Sequence, residues 1–133
     1  MTRTGWFDHI TPALYELHWL PVEYRINFKI LLYTYKALNG LAPRYIRELL
    51  IPYAPSRTLR SSQQQLLTVP RCSLRTYGNR SFAWASPTLW NALPQTIRSA
   101  CSVESFKTSL KTHLFRQAFN QLMCTLLHDC AAL

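Results

Sequence analysis

A chain of 133 residues, 48% of them hydrophobic and 13% aromatic, carries the material for one hydrophobic core and little more. Only 16% of the residues are charged, which excludes a disordered polyelectrolyte tail, yet 15 Lys and Arg against 6 acids leave a formal net charge of +9. That excess favours polyanionic partners.

In chain order, Thr11 and Pro12 read as the cap and first turn of a short helix over Ala13 to Trp19, with Leu14, Leu17 and His18 on its inner side. Pro21 then opens a second helix of about five turns, which Gly40 should stop. Proline suits a first helical position, and glycine suits the left-handed residue beyond a last turn. At about 100° per residue, Val22, Ile26, Ile30, Tyr33 and Ala37 share one arc, and Phe28, Leu31, Tyr35 and Leu38 share another roughly opposite. The helix is therefore expected to have neighbours on two sides. Arg25, Lys29 and Lys36 fall on the stripe between the arcs, which must reach solvent or an acidic partner because unpaired cations are costly to bury.

Ala42 and Pro43 open a third helix through Leu50, with Tyr45, Ile46, Leu49 and Leu50 expected inward and Arg44, Arg47 and Glu48 outward. From Ile51 the composition turns polar and aperiodic as far as Gln65, the pattern of an arginine-bearing linker. Residues 66–70 and 72–77 alternate with period two and carry β-branched or aromatic residues, which predicts two short strands broken at Pro70 and ended by Gly78 and Asn79. Ser81 to Ala92 reads as helix, with Phe82, Ala85, Leu89 and Trp90 inward and Pro87 either starting a turn or kinking it. Ser102 is a good N-cap for a last helix to about Leu122, whose apolar line is Val103, Phe106, Leu110 and Leu114 and whose basic edge is Lys107 and Lys111. These elements make a mainly α fold, a small helical domain with room for a short β-hairpin in its middle. Its parts are a helical segment 1–50, a linker 51–65, strands and helices over 66–119, and an apolar tail 120–133.

The placement of charge says more than its total. No acid occurs between Glu48 and Glu104, and every cation in that interval is arginine: Arg57, Arg60, Arg71, Arg75, Arg80 and Arg98. The planar guanidinium fork matches phosphate and stacks on bases, so this bias favours RNA or DNA more than a generic basic surface would. Tyr53 and Tyr77 flank loop segments among these arginines and are the aromatics most easily spared from a core to stack on bases.

Catalysis is poorly provided for. Asp8 and Asp129 stand near opposite ends and the four glutamates are dispersed, so no paired-carboxylate site is expected. Gly5, Gly40 and Gly78 are too few for a phosphate-binding loop or a nucleophile elbow. Cys124, His128 and Cys130, even with Cys101, match no standard zinc spacing, and Cys72 completes a set of scattered cysteines expected to be free thiols. No metal or cofactor is expected. The first residues lack a secretory apolar run and no window reaches membrane-spanning length, so no membrane partner is expected and the expected compartment is intracellular, nucleus or cytoplasm.

Seven blocks in order carry a family resemblance: HITP at 9–12, LHWLPV at 17–22, RINFKIL at 25–31, YKALNGLAP at 35–43, PSRTLRS at 55–61, SPTLWNALP at 86–94 and SFKTSLKTHLF at 105–115. Together they resemble the region that follows the polymerase domain in reverse transcriptases of non-LTR (LINE-type) retrotransposons, over about His9 to Phe119. The resemblance implies a segment at or beyond the thumb that holds template RNA or target DNA, without the polymerase's own Tyr-Xaa-Asp-Asp motif or any endonuclease carboxylates. The tail after Phe119 departs from the pattern. The expected function is thus non-catalytic nucleic-acid binding through Arg57, Arg60, Arg71, Arg75 and Arg80, with Lys29, Lys36, Tyr53 and Tyr77 as secondary contacts. The alternatives are a protein-interaction module that docks on the polymerase domain, and a non-functional remnant of a mobile element.

Overall fold

The computed structural model describes residues 10–55, 64–71, 78 and 80–129, with side chains as far as residue 120. Among these residues lie six helices: α1 (Thr11–Glu16), α2 (Val22–Leu38), α3 (Arg44–Glu48), α4 (Phe82–Ala92), α5 (Gln95–Arg98) and α6 (Val103–Asp129). The fold is mainly α, as the periodicity predicts. The chain divides into two compact units, one drawn from Met1–Phe28 and Ser109–Leu133 and the other from Lys29–Thr108, so the divisions fall inside α2 and α6.

Both short-range reversals use the same device. Gly40 has φ +73°, its N–H bonds the Ala37 carbonyl at 3.3 Å, and the Leu41 N–H reaches back to the Lys36 carbonyl at 2.7 Å. This pair of bonds is a Schellman turn, in which the residue just past the helix must be left-handed. α1 ends identically but without glycine: His18 stands at φ 52°, with His18 N–H to the Tyr15 carbonyl at 3.0 Å and Trp19 N–H to the Leu14 carbonyl at 2.8 Å. The α1 expectation is corrected accordingly. The helix stops at Glu16, and Leu17 and His18 are exposed because the turn carries them off the helical face. Thr11 is the first helical residue and Ile10 the cap. Pro21 sits just before α2 and its carbonyl accepts the Arg25 amide at 3.0 Å.

In the first unit, α1 lies on the C-terminal part of α6 through a ring cluster. Tyr15 stacks on Phe115 at 5.8 Å between centroids and meets Phe119 edge-on at 5.1 Å, and the two phenylalanines are 4.5 Å apart. The His18 imidazole stacks on Phe115 at 5.6 Å, which holds the strained residue in place. Leu110, Leu114 and Ala118 are buried along the predicted line of α6.

In the second unit the core is built around Phe106 and Trp90, both essentially fully buried. Burial of an aromatic of this size contributes on the order of 2 kcal/mol or more. Tyr35 stacks on Phe106 at 4.2 Å and its hydroxyl donates to the Ala100 carbonyl at 2.7 Å, so the ring is buried with its polar end satisfied. Thr34 and Ser86, also fully buried, join α2 to α4: their hydroxyl oxygens are 2.6 Å apart, and Thr34 Oγ1 also donates to the Ile30 carbonyl at 2.8 Å. Since the threonine proton is used on Ile30, Ser86 is the donor in the pair. Pro87 lies inside α4, which continues past it to Ala92. Ser102 caps α6 as predicted, accepting the Ser105 amide at 3.2 Å.

No strand occurs among the described residues. Residues 66–70, expected in a hairpin with 72–77, instead meet the chain after α3 in a single antiparallel bridge, Pro52 opposite Leu67, closed by Tyr53 N–H to the Leu66 carbonyl at 2.9 Å and Thr68 N–H to the Ile51 carbonyl at 2.8 Å. The bridge tolerates Pro52 because the bonds come from its neighbours, so its missing N–H is not required. The backbone groups of Leu67 consequently face the other way, where the side-chain amide of Asn91 takes both: Leu67 N–H donates to Oδ1 at 2.9 Å and Asn91 Nδ2 donates to the Leu67 carbonyl at 2.7 Å. Trp90 Nε1–H adds a bond of 2.8 Å to the Gln65 carbonyl. Helix α4 thus does the work of a neighbouring strand. Residues 72–77 lie outside the described ones.

Two inward assignments are also corrected. In one apolar arc of α2, Val22, Ile26 and Tyr33 are exposed, Ile30 is half-buried and only Ala37 is buried, whereas in the other Leu31 and Tyr35 are buried, Phe28 is half-buried and Leu38 is exposed. On α3, which ends at Glu48, Tyr45 and Leu49 are exposed and only Leu50, just past the helix, is buried. Periodicity marks which side of a helix is apolar, but a five-residue helix has too short a face to bury its whole apolar set.

Candidate nucleic-acid interface

The loop that α1's left-handed end forces leaves Trp19 as the first side chain after the turn, 55% exposed, with buried Leu20 behind it. One turn into α2, Arg25 reaches back over the same loop. Its Nε–H donates to the Leu20 carbonyl at 2.9 Å, and its Cζ lies 5.4 Å from the centre of the Trp19 ring. The guanidinium is therefore held by its backbone bond and by attraction to the ring's π face. His18, Trp19, Leu20, Arg25, Phe28 and Lys111 line one open recess of about 380 Å³. No carboxylate is among the lining side chains. A broad aromatic surface beside two basic side chains can stack a base and hold the flanking phosphate.

Of the residues singled out in the sequence, Lys29, Arg71 and Arg80 are exposed, Lys36 is half-buried, and Tyr53 is exposed beside the 52–67 bridge. No hydrogen bond, ion pair or ring contact among the described residues joins these side chains to one another. Arg57, Arg60, Arg75 and Tyr77 lie outside the described residues. Lys107 is engaged with Glu104 at 2.7 Å and Arg44 with Glu48 at 2.7 Å, both at the surface. The sequence pattern puts Arg25 on the basic stripe of α2 and Lys111 on the basic edge of α6, and Trp19 at the end of the first helix, where the structure has a loop. The available signal was Pro21, which forces a turn between Trp19 and Arg25.

Arg98, grouped by sequence with the surface arginines, is only 7% exposed, and desolvation by burial holds its pKa below the usual arginine value. No group of three or more His, Cys, Asp or Glu side chains among the described residues is placed to hold a metal ion. Cys101 is exposed and free, while Cys124 and His128 lie where α6 side chains are not described and Cys130 lies outside the described residues. No helix among the described residues is long and apolar enough to cross a membrane. In comparison with known proteins, no family model, no curated protein and no solved structure matches the chain.

Proposed function

We propose that this chain binds nucleic acid without catalysing a reaction, and that the Trp19 recess takes an unpaired base with its phosphate. One observation carries the reading: an exposed tryptophan lies under an arginine guanidinium, in a recess that Lys111 also lines and no acid does. An isolated cation-π pair on a surface is common, but the added lysine and the open ring surface are the pattern that single strands and loops use. The chain's charge of +9 supports the reading through long-range attraction. Arg71, Arg80 and Lys29 would add exposed phosphate contacts, with Arg57, Arg60 and Arg75 of the acid-free interval. The sequence blocks that resemble a retrotransposon reverse transcriptase's post-polymerase region fit a role in holding template RNA or target DNA, in the nucleus or cytoplasm.

The test is fluorescence anisotropy against single-stranded RNA, hairpin RNA and duplex DNA across a salt series, with Trp19→Ala and Lys111→Gln. Trp19→Ala should weaken single-strand or loop binding by about 1–3 kcal/mol, and Lys111→Gln should reduce the salt slope by about one contact. Binding unaffected by both substitutions would remove the site from the account.

A second reading is favoured by a separate observation in the other unit. Leu41, Tyr45, Leu49 and Ile51 are exposed at 61%, 67%, 46% and 59%. So many large apolar side chains within eleven positions suit docking on a protein such as a polymerase domain. A monomer at high concentration with no affinity for such a domain would count against it.

A further inference from the structure

Arg98 carries a buried charge that no acidic side chain among the described residues meets. Among the described residues its Nε and Nη1 are buried and have no acceptor, although guanidinium nitrogens carry only donors and almost always find one. It sits at the end of α5, and with Tyr35, Leu38, Pro52, Leu67, Trp90 and others it lines a cavity of about 370 Å³ wholly within the second unit. The neighbouring donors already have acceptors within the protein, and among the described residues no lining side chain accepts from Nε or Nη1. Tyr35 donates to Ala100, Trp90 to Gln65, Asn39 Nδ2 to the Tyr35 carbonyl, and the Ser99 hydroxyl to the Thr96 carbonyl. No carboxylate is among the lining residues.

From this cavity we infer a binding site for a singly charged carboxylate carried on a small apolar body. The number of charges decides the class. One buried cation is neutralised by one carboxylate, whose two oxygens accept from the guanidinium, whereas a phosphate dianion would bring a second negative charge for which the lining holds no second cation. The volume exceeds what acetate fills and lies at the lower end of the range for small-ligand sites. Leu38, Pro52, Leu66, Leu67 and Trp90 share the lining with Asn39, Gln65 and Ser99, so the ligand's body is a small aliphatic or aromatic group set against the apolar part, carried by either a free acid or the C-terminal carboxylate of a peptide ending in an apolar residue. The site does not rest on the nucleic-acid reading, which concerns the other unit.

The experiment follows the Arg98 Nε–H by NMR and the thermal midpoint of the full chain, titrating sodium benzoate, sodium hexanoate, and a tripeptide ending in leucine in its acid and amide forms. Sodium acetate, phosphate and chloride at matched ionic strength are the comparators. Benzoate or hexanoate should shift the Nε–H saturably and raise the midpoint, at least tenfold more tightly than acetate or phosphate. The peptide acid binding more tightly than the free acids, and its amide not at all, would identify a chain end as the ligand; the reverse ranking would identify a free acid. Arg98→Met should abolish the effect while keeping a midpoint no lower than the parent, and Arg98→Lys should weaken it about tenfold. Absence of saturation by any carboxylate, phosphate as effective as benzoate, or binding that survives in Arg98→Met would each overturn the assignment. So would a midpoint for unliganded Arg98→Met below the parent's, since that would mean the guanidinium already has its partners.

Discussion

Removing the Asn91 amide tests how the second unit holds the extended chain around Leu67. Asn91→Ala deletes two bonds, of 2.9 and 2.7 Å, to the backbone of Leu67, a residue only 3% exposed. A satisfied neutral bond contributes about 1 kcal/mol, and a buried group left without a partner costs about 1–3 kcal/mol. Both Leu67 groups lose their partner at once, but the site is only partly buried and water can reach part of it, so the expected loss is about 2–4 kcal/mol. With a urea slope of about 2 kcal/mol/M, the unfolding midpoint should fall by about 1–2 M at unchanged slope. Asn91→Asp is the sharper control. It keeps an acceptor for the Leu67 N–H but turns a lone pair towards the Leu67 carbonyl, so at neutral pH it should destabilise at least as much as alanine despite being nearly isosteric. Hydrogen exchange at the Leu67 amide should accelerate in both variants. A change within about 0.5 kcal/mol for Asn91→Ala would refute the clamp, because that is the range of an ordinary surface substitution.

Two further predictions concern stability. Thr34→Val should cost about 1–3 kcal/mol because it strands the buried Ser86 hydroxyl, and adding Ser86→Ala should restore part of the loss; additive costs in thermal or denaturant unfolding would contradict a direct pair. Gly40→Ala should cost about 1 kcal/mol in the same assays. An added Cβ meets no atom within 4 Å, so the whole penalty comes from the +73° backbone angle, and an unchanged midpoint would mean that the Schellman turn does not close as described.

What could be read in the chain depended on whether the cause was local. Gly40 was legible because almost nothing else sits easily at positive φ, and the buried series Phe106, Leu110 and Leu114 because a helical face repeats. His18 adopts the same backbone as Gly40, but histidine does not announce it; the turn is fixed by the ring it lays on Phe115, a contact far along the chain. Asn91 was invisible for a related reason, since a side-chain amide bonding a backbone 24 residues away leaves no periodic trace. Val22, Ile26 and Tyr33 show the converse limit, being apolar at helical spacing yet exposed. In the candidate site, charge patterning marks Arg25 and Lys111 only as members of basic stripes, and none of the residues expected to contact nucleic acid is among those lining the recess. Trp19 was obscured because the helix before it ended three residues sooner than its apolar pattern allowed. Arg98 carried the same sequence signature as Arg71 and Arg80 but is buried while they are exposed, a distinction that only packing makes.

Base stacking at the Trp19 recess is tested by measuring the affinity of the intact chain for single-stranded RNA at several salt concentrations, alongside Trp19→Ala and Arg25→Gln. Binding by the parent chain should weaken steeply with salt, with a slope corresponding to about four to six phosphate contacts. Trp19→Ala should lower affinity with little change in that slope, because stacking releases no counterions, and Arg25→Gln should lower both. No binding by the parent at low salt, or equal binding by all three proteins, would contradict base stacking there.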